Sequence, residues 1–286
     1  MVSRYTIFCK VIEIGSFTKV ADMLGYSQSA VSQTVKSLEQ ELGTVLVNRK
    51  KDGITLTSDG QQFYPYIQKI ANAEDALTHK HKEMLGMENS LIRIGTFTSV
   101  SRNILPELMK RFKEIYPNVN FVLSQGEYTS IERWILDGEV DFGFVSANAV
   151  SDIESKLLYQ DQMLAVLPKN HRLAKKKLIT LAELSTEPFI LLDEGSYSLP
   201  VEAFQKEGLE PDIEYKVYDD YSILAMVREG LGVSMMYEKV LNGFENGLEI
   251  RPIKEDVLRK VALGWKNWET MPLAARSFAE FIQKEI

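Results

Sequence analysis

Residues 28–42 constrain this chain more than any other stretch, because one helix there must bury one side and present another. Val31, Val35, Leu38 and Leu42 lie 4, 3 and 4 residues apart, a single apolar stripe at helical spacing. Ser29, Ser32, Gln33 and Lys36 form a second stripe on the outer side. Its side chains are short, polar and nearly uncharged, and most of them both donate and accept hydrogen bonds. Ser27 is placed to cap the helix. A merely solvated helix face would read the same way, so the flanking segments must decide.

Upstream, Tyr5, Phe8, Val11 and Ile12 recur at helical spacing and describe a first helix that ends before Gly15. Ser16 or Thr18 can cap a short second helix whose inner face is Val20, Ala21 and Leu24. Gly25 closes it with the left-handed residue that a tight turn between crossed helices needs. Downstream, residues 46–57 read as a strand, a basic Asp-Gly turn and a second alternating strand. Arg49, Lys50 and Lys51 give its tip the densest positive charge of the segment. A basic hairpin tip alone is usually a solvated turn. Helix, turn, helix and basic wing in this order make a winged helix-turn-helix, which points to double-stranded DNA. In such a domain a Gln reads adenine N6 and N7, and a Ser contacts either kind of base pair. The N-terminal end of the helix enters the major groove, and the wing tip reaches phosphates or a minor groove.

Charge alone would not have suggested a nucleic acid. The net charge is −7, with residues 1–60 holding seven Lys and Arg against six Asp and Glu. Residues 91–286 hold 23 against 30, so the acidic excess belongs to the rest of the chain. Cys9 is the one cysteine, which excludes an internal disulfide and suits a reducing compartment. No apolar run approaches the roughly 20 residues a membrane helix needs, and the N-terminus lacks the basic start and apolar core of a secretory signal. A cytoplasmic protein without membrane contact is expected.

From Thr57 or Ser58 no convincing helix stop occurs until Gly86. Tyr66, Ile70, Ala73, Leu77, Met84 and Met87 fall on one heptad-like seam that Lys80 interrupts. A helix this long needs its apolar stripe covered. A second copy of itself is the economical cover, and packing on the C-terminal part is the alternative. Pro65 removes one internal hydrogen bond near the start and should bend the helix. His79 and His81 are spaced i,i+2 and point to different faces, which argues against a metal pair.

From residue 91 onward short apolar strands alternate with amphipathic helices, the pattern of βαβ units and a mainly parallel sheet. Strands are expected at residues 91–94, 120–123, 141–145, 163–167, 189–192, 214–218, 233–236 and 261–265. Helices are expected near 105–115, 131–136, 199–207 and 223–228 and after Pro272. The block is large for one sheet, and two lobes fit it better.

Several runs resemble the LysR-type transcriptional regulators. Gly15-Ser16-Phe17-Thr18, Ala21, Leu24, residues 27–32, Leu38-Glu39, Glu41-Leu42-Gly43, Leu46, Arg49 and Leu56-Thr57 carry the likeness. Ile94-Gly95, Leu105-Pro106, Tyr116-Pro117, residues 136–141 and Gly230-Leu231-Gly232-Val233 extend it more weakly to the rest. The resemblance implies a winged helix-turn-helix over 1–58 and a linker and dimerisation helix over 59–88. It also implies an α/β effector-binding domain over 89–286, with the two lobes of the type 2 periplasmic-binding-protein fold. Lobe 1 would span about 89–161 and 267–286, and lobe 2 about 162–266. By the same resemblance Gln28, Ser29, Ser32 and Gln33 face bases, and Arg49 enters the minor groove; Ser27, Lys36, Lys50 and Lys51 complete the expected DNA-binding set. The family often has Pro where Ser29 stands, Arg or Lys where Gln33 stands, and Phe where Val47 stands.

A small-molecule effector would lie between the lobes, at strand ends and helix N-termini, where free backbone N–H groups favour carboxylates. The expected contacts are Thr96, Thr98, Ser99 and Ser101 after the first strand, Tyr128 and Thr129 after the second, and Ser146 after the third. Ser196, Tyr197, Asp219 and Tyr221 would come from the second lobe and hinge. Each of these could equally be a helix cap. The tyrosines would tolerate an aromatic or amphipathic metabolite.

An enzyme is not expected. Cys9 reads as a small core residue, His171 sits alone in a polar turn, and no zinc-ligand spacing occurs. Gly230-Leu231-Gly232 precedes a strand, whereas a dinucleotide loop follows one. Lys175-Lys176-Lys177 reads as a solvated run, and no cofactor or metal is implied. The rival reading is a solute-binding protein, which the C-terminal fold alone would allow; the N-terminal winged helix argues against it. The expected molecule is a DNA-binding transcriptional regulator, self-associating as a dimer or a dimer of dimers, with a small-molecule effector modulating DNA binding or bending.

Overall fold

Ser3, Ser16 and Ser27 each accept, through the side-chain oxygen, the backbone N–H three residues on. Each thereby opens a helix: α1 (Arg4–Ile14), α2 (Phe17–Leu24) and α3 (Gln28–Leu42). The computed structural model describes residues 2–50, 53–84 and 90–286, the side chains of 79–84 excepted. Gly25 closes α2 at φ +71°, the left-handed conformation that lets the chain turn directly into α3. The hairpin follows as β1 (Val47–Lys50) and β2 (Gly53–Leu56), antiparallel with Arg49 opposite Ile54. Thr57 then caps α4 (Ser58–Met84) by accepting the Gly60 N–H.

The predicted α3 stripe forms the core: Val31, Val35 and Leu38 are buried with Phe8, Val11, Val20 and Leu46, and Leu42 packs against their edge. From α4, Ile67 and Ala71 complete this core. Glu39 fastens the hairpin to α3, accepting the backbone N–H groups of Leu46 at 2.8 Å and Val47 at 3.2 Å.

The chain divides into two compact units, Met1–Gly86 with Asp137–Glu139, and Met87–Leu136 with Val140–Ile286. The second unit begins β3 (Leu91–Thr96), α5 (Thr98–Asn103), α6 (Leu105–Ile115), β4 (Asn120–Gln125), α7 (Tyr128–Asp137) and β5 (Phe142–Ser146). It continues with β6 (Glu154–Pro168), a 3-10 turn (Arg172–Lys175), α8 (Leu181–Leu184), β7 (Phe189–Leu192), α9 (Leu199–Lys206) and β8 (Ile213–Val217). Then come α10 (Asp220–Arg228), β9 (Ser234–Tyr237), α11 (Glu238–Leu241), β10 (Leu248–Pro252), β11 (Leu258–Trp265) and α12 (Leu273–Glu285).

The sheet is mixed, where the alternating pattern led us to expect a mainly parallel one. Its order is β10-β6-β11-β5-β3-β4, with β9 also on β6, and β7 and β8 pair separately. β3 runs parallel to both β4 and β5, as βαβ units require, whereas β6 and β11 run antiparallel over their length. The reason is that β6 and β11 carry the chain between two cores. Ile92 and Ile94 of β3, Phe142–Val145 of β5 and α12 surround a first core that includes Phe112, Phe144 and Phe278. Met163–Leu167 of β6, β7, β9 and α10 surround a second core that includes Phe189, Phe204 and Tyr237. Val261–Trp265 pack in the first core, although the sequence had suggested the second lobe for them; a bulge between Val261 and Ala262 marks where β11 passes across. The half of β6 before Met163 is largely exposed and polar, which is why no strand pattern announced it.

Candidate functional site

In the first unit the outer stripe of α3 is presented to solvent. Ser27, Gln28, Ser29, Gln33 and Lys36 are exposed, and Ser32 is half-buried. Ser27 shares a 3.0 Å hydrogen bond with Ser29 in addition to capping the helix, so it stiffens the start of α3. On β1, Arg49 and Lys50 are exposed. Arg49 Nη1 donates to Ser32 Oγ at 3.2 Å, and its guanidinium lies 4.8 Å from the Phe17 ring centroid. Five of the expected DNA contacts therefore share one surface of α3 with the wing cation folded onto it. Lys51 lies outside the described residues.

A face of α4 is also bare. Tyr66 and Leu77 are 69% and 72% exposed, and Ile70 and Ala73 are exposed with them. These four belong to the heptad-like seam; Lys80, Met84 and Met87 fall on positions whose side chains lie outside the description.

In the second unit a cleft opens between the two cores. Its wall comprises Phe97, Thr98 and Ser99 after β3, Gln125–Tyr128 after β4, and Leu192–Glu194 after β7, with Tyr218, Asp220, Tyr237, Val240 and Arg259. Arg259, only 3% exposed, is its anchor. It sits opposite Asp161 in the β11–β6 register and pairs with that carboxylate at 2.5 Å. It also donates to Ser99 Oγ at 2.8 Å and Tyr128 Oη at 3.0 Å, and lies 3.6 Å from the Tyr237 ring centroid. Burial works against its charge, but the surrounding Tyr128, Tyr237 and Asp161 oxygens hold the guanidinium protonated above its ordinary range. Tyr128 and Tyr237 in turn each donate to Glu194 at 2.9 Å. Burial pushes the Glu194 carboxyl up to about 7, only partly offset by Arg259 and the two hydroxyls. Burial likewise raises Asp220 above the usual carboxylate range.

Two of the helix starts at this cleft are closed by side chains, whereas α5, which begins in its wall, has no side-chain cap. Glu127 accepts the backbone N–H groups of Thr129 at 2.7 Å and Ser130 at 3.0 Å, closing the start of α7. Burial pushes Glu127 up, yet hydrogen bonds from Ser130 and Thr129 outweigh it and hold the carboxyl below its usual range. Asp219 closes α10 in the same way, accepting the Ser222 N–H.

Of the expected effector contacts, Thr98, Ser99 and Tyr128 are in the cleft wall. Thr96 and Ser146 are buried in the sheet of the second unit, and Ser146 pairs with Val261. Thr129 is engaged by Glu127, Asp219 is a helix cap, and Ser101 donates to the Thr98 carbonyl. Tyr197 donates to Glu202, Tyr221 bonds Arg102, and Ser196 is exposed outside the wall. The sequence reading missed Glu127, Glu194, Asp220, Tyr237 and Arg259. Glu194 and Asp220 stand one or two positions from residues that were named, at ends of the same strands, so the strand-end rule pointed to the right loops. Arg259 had a weaker signal, an Arg-Lys pair just before an apolar strand run.

For the enzyme reading, Cys9 is buried, and burial pushes its thiol up to about 12, which keeps it unreactive. Among the described residues, no group of three or more His, Cys, Asp and Glu could hold a metal ion, and no helix is long and apolar enough to cross a membrane.

Residues 3–61 match the family model described as a bacterial regulatory helix-turn-helix protein, lysR family, and residues 86–286 match the LysR substrate binding domain. The chain is 30% identical to the uncharacterized HTH-type transcriptional regulator YvbU of Bacillus subtilis (strain 168), covering 99% of this chain and 98% of that one. It is also 30% identical to the transcriptional dual regulator GltC of the same organism, over 89% and 87% of the two chains. Full-length CbnR solved with its target DNA has the same fold, with a TM-score of 0.75, 21% identity and 99% coverage of both chains.

Proposed function

Because this chain belongs to the LysR family, and is a DNA-binding transcriptional regulator with a substrate-binding domain rather than an enzyme, we propose how its parts divide the work. Residues 1–58 bind DNA, 59–88 pair two copies, and 89–286 bind the effector, with one lobe of about 89–161 joined by residues 261–286 and the other of about 162–260. The protein acts in the cytoplasm as a dimer or a dimer of dimers. Gln28, Ser29, Ser32 and Gln33 meet base edges at the N-terminal end of α3, with Ser27 and Lys36 flanking them. Arg49, Lys50 and Lys51 meet the minor groove and phosphates. An effector held by Thr98, Ser99, Tyr128 and Arg259 shifts the balance between lobe arrangements, and so the spacing or bend imposed on DNA.

The observation that carries this reading is the exposed, nearly uncharged polar edge of α3 beside an exposed basic wing. Its test is anisotropy titration of the full chain on a duplex it selects from a random pool, against a scrambled duplex. Gln28→Ala should lower the specific affinity by roughly 1–3 kcal/mol and leave the scrambled duplex unaffected. An unchanged ratio between the two would remove the reading face from Gln28.

A further inference from the structure

The cleft is acidic where an anion-binding site would be basic. Four carboxylates stand in its wall, Glu127, Asp193, Glu194 and Asp220, against the single cation Arg259. That cation is already paired with Asp161. The N–H groups at the starts of α7 and α10 that a ligand carboxylate would seek are taken by Glu127 and Asp219. An incoming dicarboxylate would therefore meet occupied donors at α7 and α10 and like charge beside them.

Glu194 and Asp220 point to the opposite chemistry. They are 7% and 6% exposed, and neither forms an ion pair among the described residues. Among the described residues Glu194 is held by two tyrosine hydroxyls. Burial of a carboxylate is costly, and nearby Arg259, already paired with Asp161, offsets it only in part, so both carboxyls are raised above their usual range. A second, independent observation concerns Arg259. Although 3% exposed and part of the same wall, it leaves its Nε–H with no hydrogen-bond partner. The space within the cleft is small, about 60 Å³, room for roughly four to six water-sized groups at about 10–15 Å³ each.

We propose that the cleft takes a small molecule carrying a cationic nitrogen, bound by Glu194 and Asp220, next to a hydrogen-bond acceptor directed at Arg259. That is the chemistry of a small amino acid or amino alcohol. The inference rests on the cleft being the effector site. It reverses the expectation of a carboxylate at a helix start, and it puts Glu194 and Asp220 in the role of specificity determinants: the nitrogen distinguishes the ligand from otherwise identical acids and alcohols.

The test is thermal unfolding of the full chain with two matched sets of probes at millimolar concentration. Glycine, L-alanine, L-serine and ethanolamine form one set; acetate, propionate, glycerate and ethylene glycol, the same skeletons without nitrogen, form the other. At least one nitrogen-bearing probe should raise the Tm and its nitrogen-free counterpart should not. Glu194→Gln and Asp220→Asn should each weaken the response roughly tenfold or more, as loss of a charge-assisted hydrogen bond does. Gln125→Trp and Asp193→Trp, at exposed wall positions, should block it. A response confined to nitrogen-free probes and blocked by these tryptophans overturns the proposed chemistry and leaves the cleft in place. A response that both tryptophans leave unchanged overturns the cleft as the effector site. Silence from every nitrogen-bearing probe overturns the chemistry.

Discussion

Arg49 of the wing donates through Nη1 to Ser32 Oγ of α3 at 3.2 Å, with its guanidinium 4.8 Å from the Phe17 ring centroid. The two groups expected to meet DNA thus satisfy one another in the free protein. The bond uses one of the five guanidinium N–H donors and one Ser32 lone pair, which leaves Arg49 donors for a phosphate or a minor groove and the Ser32 hydroxyl proton for a base. Arg49→Ala should weaken binding to all duplexes alike and reduce the slope of log affinity against log salt by about 1. Ser32→Ala should change only the ratio of selected to scrambled duplex, by roughly 1–3 kcal/mol. Anisotropy titration across a salt series separates the two, and a sequence-dependent loss in Arg49→Ala would refute the assignment.

The bare seam of α4 makes a second prediction. Tyr66 and Leu77 are exposed while Ile67 and Ala71 on the other face are buried. One helix cannot hide both faces in its own unit, so a second copy is the expected cover. Leu77→Glu should shift sedimentation velocity toward the monomer and cost affinity for a two-half-site duplex, with the second unit's unfolding unaltered. A Leu77→Glu protein that still sediments as wild type would place the contact elsewhere.

Gly60 gives a test of how the hairpin is held. A Cβ there would lie 2.1 Å from the Leu46 carbonyl oxygen and 3.2 Å from the Leu56 side chain. The same carbonyl accepts the Thr57 N–H at 2.9 Å, so backbone rather than a yielding side chain stands in the way. Gly60→Ala should destabilise the N-terminal unit by about 1–3 kcal/mol in urea unfolding. Gly25→Ala meets no neighbouring atom and strains only its positive φ, so it should cost less.

Glu194 predicts a pH dependence with a definite sign. Its carboxyl is raised from 4.5 to about 7 in the folded protein, so between these values the native state binds more protons than the unfolded one. Its contribution is therefore fully present below pH 4.5 and is lost as pH rises through about 7, a change on the order of 3 kcal/mol. Glu194→Gln, which stays neutral, should flatten this fall in chemical unfolding followed from pH 5 to 8. An equally steep fall in the variant would move the titration to another group, with Asp220 the first to examine.

Much of the N-terminal unit could be read along the chain. Val31, Val35 and Leu38 are buried, Ser16 rather than Thr18 caps α2, and β1 and β2 pair across the Asp-Gly turn region as the alternation requires. These features depend on residues a few positions apart, and helical or strand periodicity records such distances directly. Of the C-terminal elements, α6 and β7 lie where the pattern put them. The polar half of β6 and the short β10, which ends in Pro252, left no periodic trace.

The cleft follows a different logic. Ser99, Tyr128, Asp161, Glu194, Tyr237 and Arg259 come from six separate elements or loops, and no spacing relates them. Periodicity could name the strand ends that border a cleft, because that follows from topology. Which charges face one another across it depends on strand register, as in Arg259 opposite Asp161. Register is settled by long-range packing of the two cores, so local pattern determined the winged helix, and folding of the whole second unit decided the charge of its cleft.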